Sequence, residues 1–244
     1  MSVEADVWSL GKDNDILFVG HDRMSLTRLR TLDNLYIHPI LGLLDARNPE
    51  GAVTGEGGNR TWTGVFVEDP KQTLNFYIDL KTEGHKTLEV VIRALEPLRK
   101  RGYLTTYRNG SVQHGPVTIH MTGNTLFDDI LALPERDVFF DAPLTEMDTG
   151  RYNHTNSLMA TARFSRDVGN VFKFWNGHRG TMTGEMRETV RRHVKAAHER
   201  GVGVRYWDTP GWPRRVREGV WGVLVAEGVD LLNVDDLRRA KEFY

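Results

Sequence analysis

The fold predicted from the sequence is a single α/β domain on a parallel sheet, a (β/α)8-type barrel without its first strand. Three observations predict it. Short apolar runs alternate with amphipathic stretches of helical period along the chain, the pattern of repeated β-α units. The length, 244 residues, is close to the roughly 250 of a (β/α)8 barrel. Seven of the apolar runs read as barrel strands, one short of the eight that closure requires.

Taken in order, the strands fall at residues 2–7, 75–80, 117–121, 138–141, 159–164, 203–207 and 231–234. Residues 16–20 add a short strand after a polar turn at 12–15. Leu88, Val91, Ile92, Leu95 and Leu98 keep one helical stripe that Gly102 stops. Met186, Val190, Val194 and Ala197 do the same from a Thr183 cap to Gly201. Trp212-Pro213 opens a further helix carrying Val216, Val220 and Leu224 and ending at Gly228. Residues 48–71 hold five glycines and mixed charge and read as a long loop over one face. No second core follows that loop, so residues 1–244 are taken as one domain.

Composition narrows the function classes. A net charge of -1 supplies no overall field for nucleic acid or an anionic membrane and leaves only local patches. With no cysteine there is no disulfide, thiolate metal site or cysteine nucleophile. No apolar run reaches the roughly 18 to 20 residues of a transmembrane segment.

The chemistry-bearing residues gather at strand ends. Glu4 and Asp6 are two apart on a strand, so their carboxylates share a face. Asp79 and Lys81 repeat the spacing on the next barrel strand. Barrels of this kind build their sites from the carboxyl ends of strands, where Glu4, Asp6 and Asp79 can converge. Three uncompensated carboxylates repel one another, and an all-oxygen cation site, Mg2+ or else Ca2+, relieves that repulsion. His21, in His21-Asp22 after the added strand, is of the residue type that passes protons near neutral pH. Lys81 can supply positive charge to a phosphoryl oxygen. Singly, an E-x-D or D-x-K is most often a solvated charge pattern, and only order and placement raise these above it. His120 ends a strand and can face the site, with a hydrogen-bonded structural histidine as the equal alternative. Asp141 is balanced between a site residue and a cap before Pro143. Trp175-Asn176-Gly177 reads as a packed loop anchor, and Arg187, Arg191, Arg192 and Lys195 as a solvated basic helix face.

Taken together, Ser2-Val3-Glu4-Ala5-Asp6-Val7-Trp8 with Val19-Gly20-His21-Asp22 resembles the E-x-D…HD signature of glycerophosphodiester phosphodiesterases. Phe76-Tyr77-Ile78-Asp79-Leu80-Lys81 resembles the metal-ligand strand that follows, with Asp-Leu-Lys nearer to spider sphingomyelinase D. Arg30-Thr31-Leu32, Leu35-Tyr36, Gly64-Val65-Phe66, Tyr206-Trp207-Asp208-Thr209-Pro210 and Leu232-Asn233-Val234-Asp235-Asp236-Leu237 resemble the fungal altered-inheritance-of-mitochondria protein six family, over nearly the whole chain.

The resemblance implies a PLC-like phosphodiesterase barrel with Mg2+ (or Ca2+) on Glu4, Asp6 and Asp79, His21 and Lys81 as catalytic residues, and a small-molecule or lipid phosphodiester substrate. By analogy with sphingomyelinase D, Trp207 would line the substrate pocket; His120 is a candidate substrate contact from its strand-end placement alone. In these families a preceding strand carries another catalytic histidine, in a His-x-His-Asn-Asp-Tyr-like segment, and the present sequence begins after that point. The expectation is therefore an N-terminally incomplete barrel, whose missing segment would also carry any secretory or mitochondrial address. A relative that binds metal or ligand without turnover is the alternative.

Overall fold

The computed structural model describes residues 1–11, 16–49, 53–54, 60–172 and 181–243. The chain divides into two compact units, Met1–Phe140 and Asp141–Tyr244.

In the first unit the ladder runs β2 (Leu17–Val19), β1 (Ser2–Ser9), β3 (Leu74–Leu80), β4 (Val117–Gly123) and the start of β5 (Val138–Pro143). All these pairings are parallel except β1 with β2, which is antiparallel. Alternation along the pleat sends Ala5, Val7, Phe76, Ile78, Leu80, Ile119 and Met121 into one buried cluster. Helix α1 (His38–Arg47) adds Ile40 and Leu44 to that cluster, and α2 (Gly84–Ala94) adds Leu88, Val90 and Val91. Each of these side chains except the small Ala5 contributes about 1.5–3 kcal/mol through apolar burial.

Helix α2 starts where Glu83 accepts hydrogen bonds from the backbone N–H groups of His85 and Lys86. The predicted continuous helix to Gly102 is in fact two: α2 stops at Ala94 and a short helix, Glu96–Lys100, follows with Pro97 in its first turn. A proline cannot donate to the carbonyl four residues back, so the break falls there. Leu95 and Leu98 remain fully buried across it. Gly102, with φ of 71°, ends the run as expected.

In the second unit β5 continues to β6 (Met159–Arg163), β7 (Gly203–Trp207) and β8 (Leu231–Leu232), all parallel. Helix α3 (Gly184–His198) begins at Thr183, whose hydroxyl accepts from the Met186 N–H at 3.2 Å. Its predicted stripe is buried, as are Val216, Val220 and Leu224 of α4 (Arg214–Ala226).

Among the described residues the two ladders hold eight strands, with β5 counted once. Seven are the parallel strands predicted, and β2 is the predicted addition. The α/β class therefore holds. Some bounds differ: β1 runs on to Ser9, and the strand expected at 231–234 is paired only over Leu231–Leu232. Arg187, Arg191, Arg192 and Lys195 are all exposed, as expected of a solvated basic face, and Arg191 also makes a two-pronged contact with Glu227 at 3.0 and 3.1 Å. The turn at 12–15 and the anchor Trp175-Asn176-Gly177 lie outside the described residues.

Candidate metal centre

Glu4 and Asp6 leave β1 on the face opposite Ala5 and Val7, and Asp79 stands directly across from Asp6 in the β1–β3 register. One carboxylate oxygen from each of Glu4, Asp6 and Asp79 lies within 4.8 Å of the others. Glu4 is exposed, while Asp6 and Asp79 are half-buried. The cluster predicted from two-residue spacing on neighbouring strands is thus assembled. The Lys81 Nζ donates to Asp79 Oδ2 at 2.7 Å and lies 3.3 Å from Asp6 Oδ1. Burial pulls the Lys81 ammonium towards neutrality, but the hydrogen bond and charge of Asp79, and then Asp6, outweigh it and raise its pKa.

One ammonium against three carboxylates leaves an excess of negative charge on an all-oxygen donor set, which suits Mg2+ or Ca2+. A second feature points to a cation. The Oδ1 of Asp79 is buried and has no hydrogen-bond partner among the described residues, an arrangement that is expensive for a carboxylate unless something positive faces it. The residues present therefore fit a divalent ion.

Three residues not singled out for chemistry hold this geometry. Gly123 ends β4 with φ of 69°, and a Cβ there would stand 2.0 Å from Asp79 Oδ1 and 2.7 Å from the Leu80 carbonyl oxygen. Only glycine allows that approach. Tyr36 donates from its hydroxyl to the Glu4 carbonyl oxygen at 2.7 Å and stacks on Phe76 with ring centres 5.0 Å apart. Burial, then the negative charges of Asp6 and Glu4, push its phenol pKa up. Trp8 donates its indole N–H to the Gly20 carbonyl oxygen at 2.8 Å, and the Gly20 N–H reaches the Asp6 carbonyl oxygen at 3.1 Å. Only Gly123 carried a usable signal, a glycine closing a strand; the roles of Tyr36 and Trp8 depend on partners distant in sequence.

That pair of bonds sets the start of the next segment, where the His21 Nδ1 meets Asp6 Oδ2 at 3.2 Å. The His21 side chain is 93% exposed, so its Nε2 faces solvent. His120 is placed differently. It pairs with Tyr77 in register, two residues below Asp79, with no solvent exposure. Its Nε2 shares a 2.8 Å hydrogen bond with Asn75 Oδ1, and its ring stacks on Tyr77 at 4.7 Å. Asp141, in the second unit, accepts from the Thr161 hydroxyl at 2.6 Å. Trp207 ends β7 in that unit and is 42% exposed. The Arg163 guanidinium lies 5.2 Å from its ring centre and pairs with Asp208 at 2.7 Å.

Residues 1–141 match the family described as the AIM6-like phosphodiesterase domain. The chain is 39% identical over 246 residues to the altered inheritance of mitochondria protein 6 homolog of Arthroderma benhamiae, covering 100% of this chain and 74% of that one. The chain belongs to the altered inheritance of mitochondria protein 6 family. Members from Eremothecium gossypii and Saccharomyces cerevisiae are each 31% identical, over 99% and 97% of this chain. The chain spans 63% of the length of each of those two relatives. Glu4, Asp6, His21, Asp79, Lys81 and His120 fall inside the matched family segment, and Trp207 lies beyond it. A solved glycerophosphodiester phosphodiesterase from Parabacteroides distasonis aligns over 98% of this chain and 81% of its own, at 10% identity and a TM-score of 0.49.

Proposed function

We propose that this member of the altered inheritance of mitochondria protein 6 family is a divalent-metal-dependent phosphodiesterase, with a glycerophosphodiester or lysophospholipid-type phosphodiester as substrate and Mg2+ as its ion. In this reading residues 1–244 belong to one PLC-like (β/α)8-type barrel domain. The observation that carries the proposal is the convergence of Glu4, Asp6 and Asp79 within 4.8 Å of one another, with Lys81 touching Asp79 and Asp6 and His21 touching Asp6.

The bound ion would neutralise charge on the phosphate and act as a Lewis acid there. Lys81 has three N–H donors, two of them directed at Asp79 and Asp6, so the third can meet a non-bridging phosphate oxygen. His21 keeps its Nδ1 on Asp6, which orients the ring and favours the tautomer with an open Nε2. That nitrogen can take the proton from the attacking hydroxyl or return it to the leaving oxygen. Attack by water gives hydrolysis, and attack by a neighbouring substrate hydroxyl gives a cyclic phosphate. The proposed substrate contacts stand on different footings: Trp207 reaches solvent, whereas His120 is enclosed and engaged by Asn75.

The test is phosphodiester turnover with bis-p-nitrophenyl phosphate and a lysophospholipid, with Mg2+ and with EDTA. Turnover should require the ion and fall by about 10²–10⁴-fold in His21→Ala. Turnover indifferent to EDTA or to His21→Ala would sink the assignment. Mg2+ binding without turnover would favour the metal-binding, non-catalytic alternative.

A further inference from the structure

The segment that begins beside the metal centre carries a second feature. Its two ends are tied together: the Val19 N–H donates to the Arg30 carbonyl oxygen at 2.8 Å, and Phe18 bridges to Thr31. Residues 20–30 therefore form a closed loop, with His21 at its base. The loop is internally organised. Asp22 Oδ1 accepts from the N–H groups of Met24 and Ser25 at 2.8 and 3.0 Å. A Cβ on Gly20 would meet Ser25 Oγ at 2.5 Å and Leu26 Cδ2 at 3.0 Å, so Leu26 is folded back over the loop's own backbone.

Met24 and Leu29 point the other way, at 94% and 80% exposure, the two highest values among the described large apolar side chains of the first unit. Both are flanked by arginine in sequence: Arg23-Met24 and Arg28-Leu29-Arg30. All three arginines are exposed and make no ion pair among the described residues. The loop's single carboxylate, Asp22, is committed to backbone N–H groups.

Long apolar side chains held in water between unpaired cations match an anionic bilayer surface, where the apolar groups enter the acyl boundary and the cations meet phosphates. Nucleic acid offers the second interaction but not the first. A protein partner would need an acidic surface with apolar sockets, a narrower requirement. We infer that residues 22–30 are a membrane-docking loop that seats the protein on anionic phospholipid, with Met24 and Leu29 inserted and Arg23, Arg28 and Arg30 on lipid phosphates. The inference does not depend on the proposed activity. If that activity is also correct, docking would bring the His21 end of the site to the lipid surface.

The experiment is co-sedimentation of the purified chain with phosphatidylcholine vesicles, with and without phosphatidylserine, in EDTA so that metal plays no part. Binding should require phosphatidylserine and weaken as salt is raised. Met24→Ser with Leu29→Ser should lower the partition coefficient by about tenfold or more, and Arg28→Gln with Arg30→Gln by about fivefold per arginine. Unchanged melting temperatures keep the comparison free of folding effects. Absence of binding to the anionic vesicles would overturn the inference, as would binding that both double variants leave intact. Self-association or protein capture lost in the variants, without vesicle binding, would also overturn it and assign the loop to a protein partner.

Discussion

Replacing Asp79 with asparagine preserves the shape of the side chain and removes one charge from the proposed metal centre. In the ion-free protein two effects oppose each other. The Lys81 hydrogen bond at 2.7 Å loses charge assistance, worth about 1.5–3 kcal/mol at most for a partly buried pair. Repulsion among the three carboxylates also falls, which offsets part of that loss. The net change should be about 1 kcal/mol, or roughly 2–4 °C in melting temperature for a chain of this size. The ion-dependent effect is larger. At a Mg2+ concentration about a hundredfold above its Kd, binding stabilises the parent by about 2.7 kcal/mol, equivalent to a rise of roughly 5–11 °C. Asp79→Asn substitutes an amide for an anionic ligand oxygen, so that rise should disappear while the ion-free melting temperature drops only slightly. Differential scanning fluorimetry across a MgCl2 titration, with EDTA as baseline, reads both quantities. A Mg2+-induced rise equal to the parent's would refute the assignment of Asp79 as a ligand.

Two further outcomes are expected. Gly123→Ala forces a methyl group to within 2.0 Å of Asp79 Oδ1 at a φ of 69°, so urea denaturation should show a loss of about 1–3 kcal/mol. It should also show a smaller response to Mg2+; unaltered stability would mean the close approach is not a constraint. Burial, then Asp45, pushes the Tyr103 pKa up to about 12 from the ordinary 10. Above pH 10 the unfolded chain gives up that proton first, so the parent loses stability as pH rises towards 12, by up to about 1.4 kcal/mol per pH unit. Tyr103→Phe should start less stable at pH 8 by about 1 kcal/mol and fall less steeply above pH 10; equal slopes in urea midpoints against pH would contradict this.

The parallel strands were legible because buried strands with a period of two, separated by helices of period 3.6, leave an unambiguous mark. The carboxylate trio was legible for the same reason. Once residues 2–7 and 75–80 are strands, Glu4, Asp6 and Asp79 have only one face to share. What escaped was whatever depends on contacts between distant segments. Nothing near Tyr36 announces that its hydroxyl will support the Glu4 carbonyl. Nothing around His120 specifies that Asn75 will enclose it, because the two meet only through the β3–β4 register. Leu95 and Leu98 kept their helical phase and stayed buried even though Pro97 divided the helix, since the apolar stripe fixes which side faces inward but not whether the backbone is continuous. The Arg191–Glu227 contact joins two helices, and charge spacing on one of them cannot reveal it.

Asp6 and Asp79 face one another across the β1–β3 ladder. Like charges in that position penalise strand pairing, and Lys81, lying across both, offsets only part of the penalty. A slip of one residue would turn Asp6 towards the apolar layer and Ala5 towards the carboxylates. In that alignment the three oxygens would no longer lie within reach of a single ion. The charged trio would thus serve as a proofreading mark for strand alignment: an ion held, as proposed, by all three oxygens would reward one register alone, so its binding would be coupled to the alignment of β1 with β3.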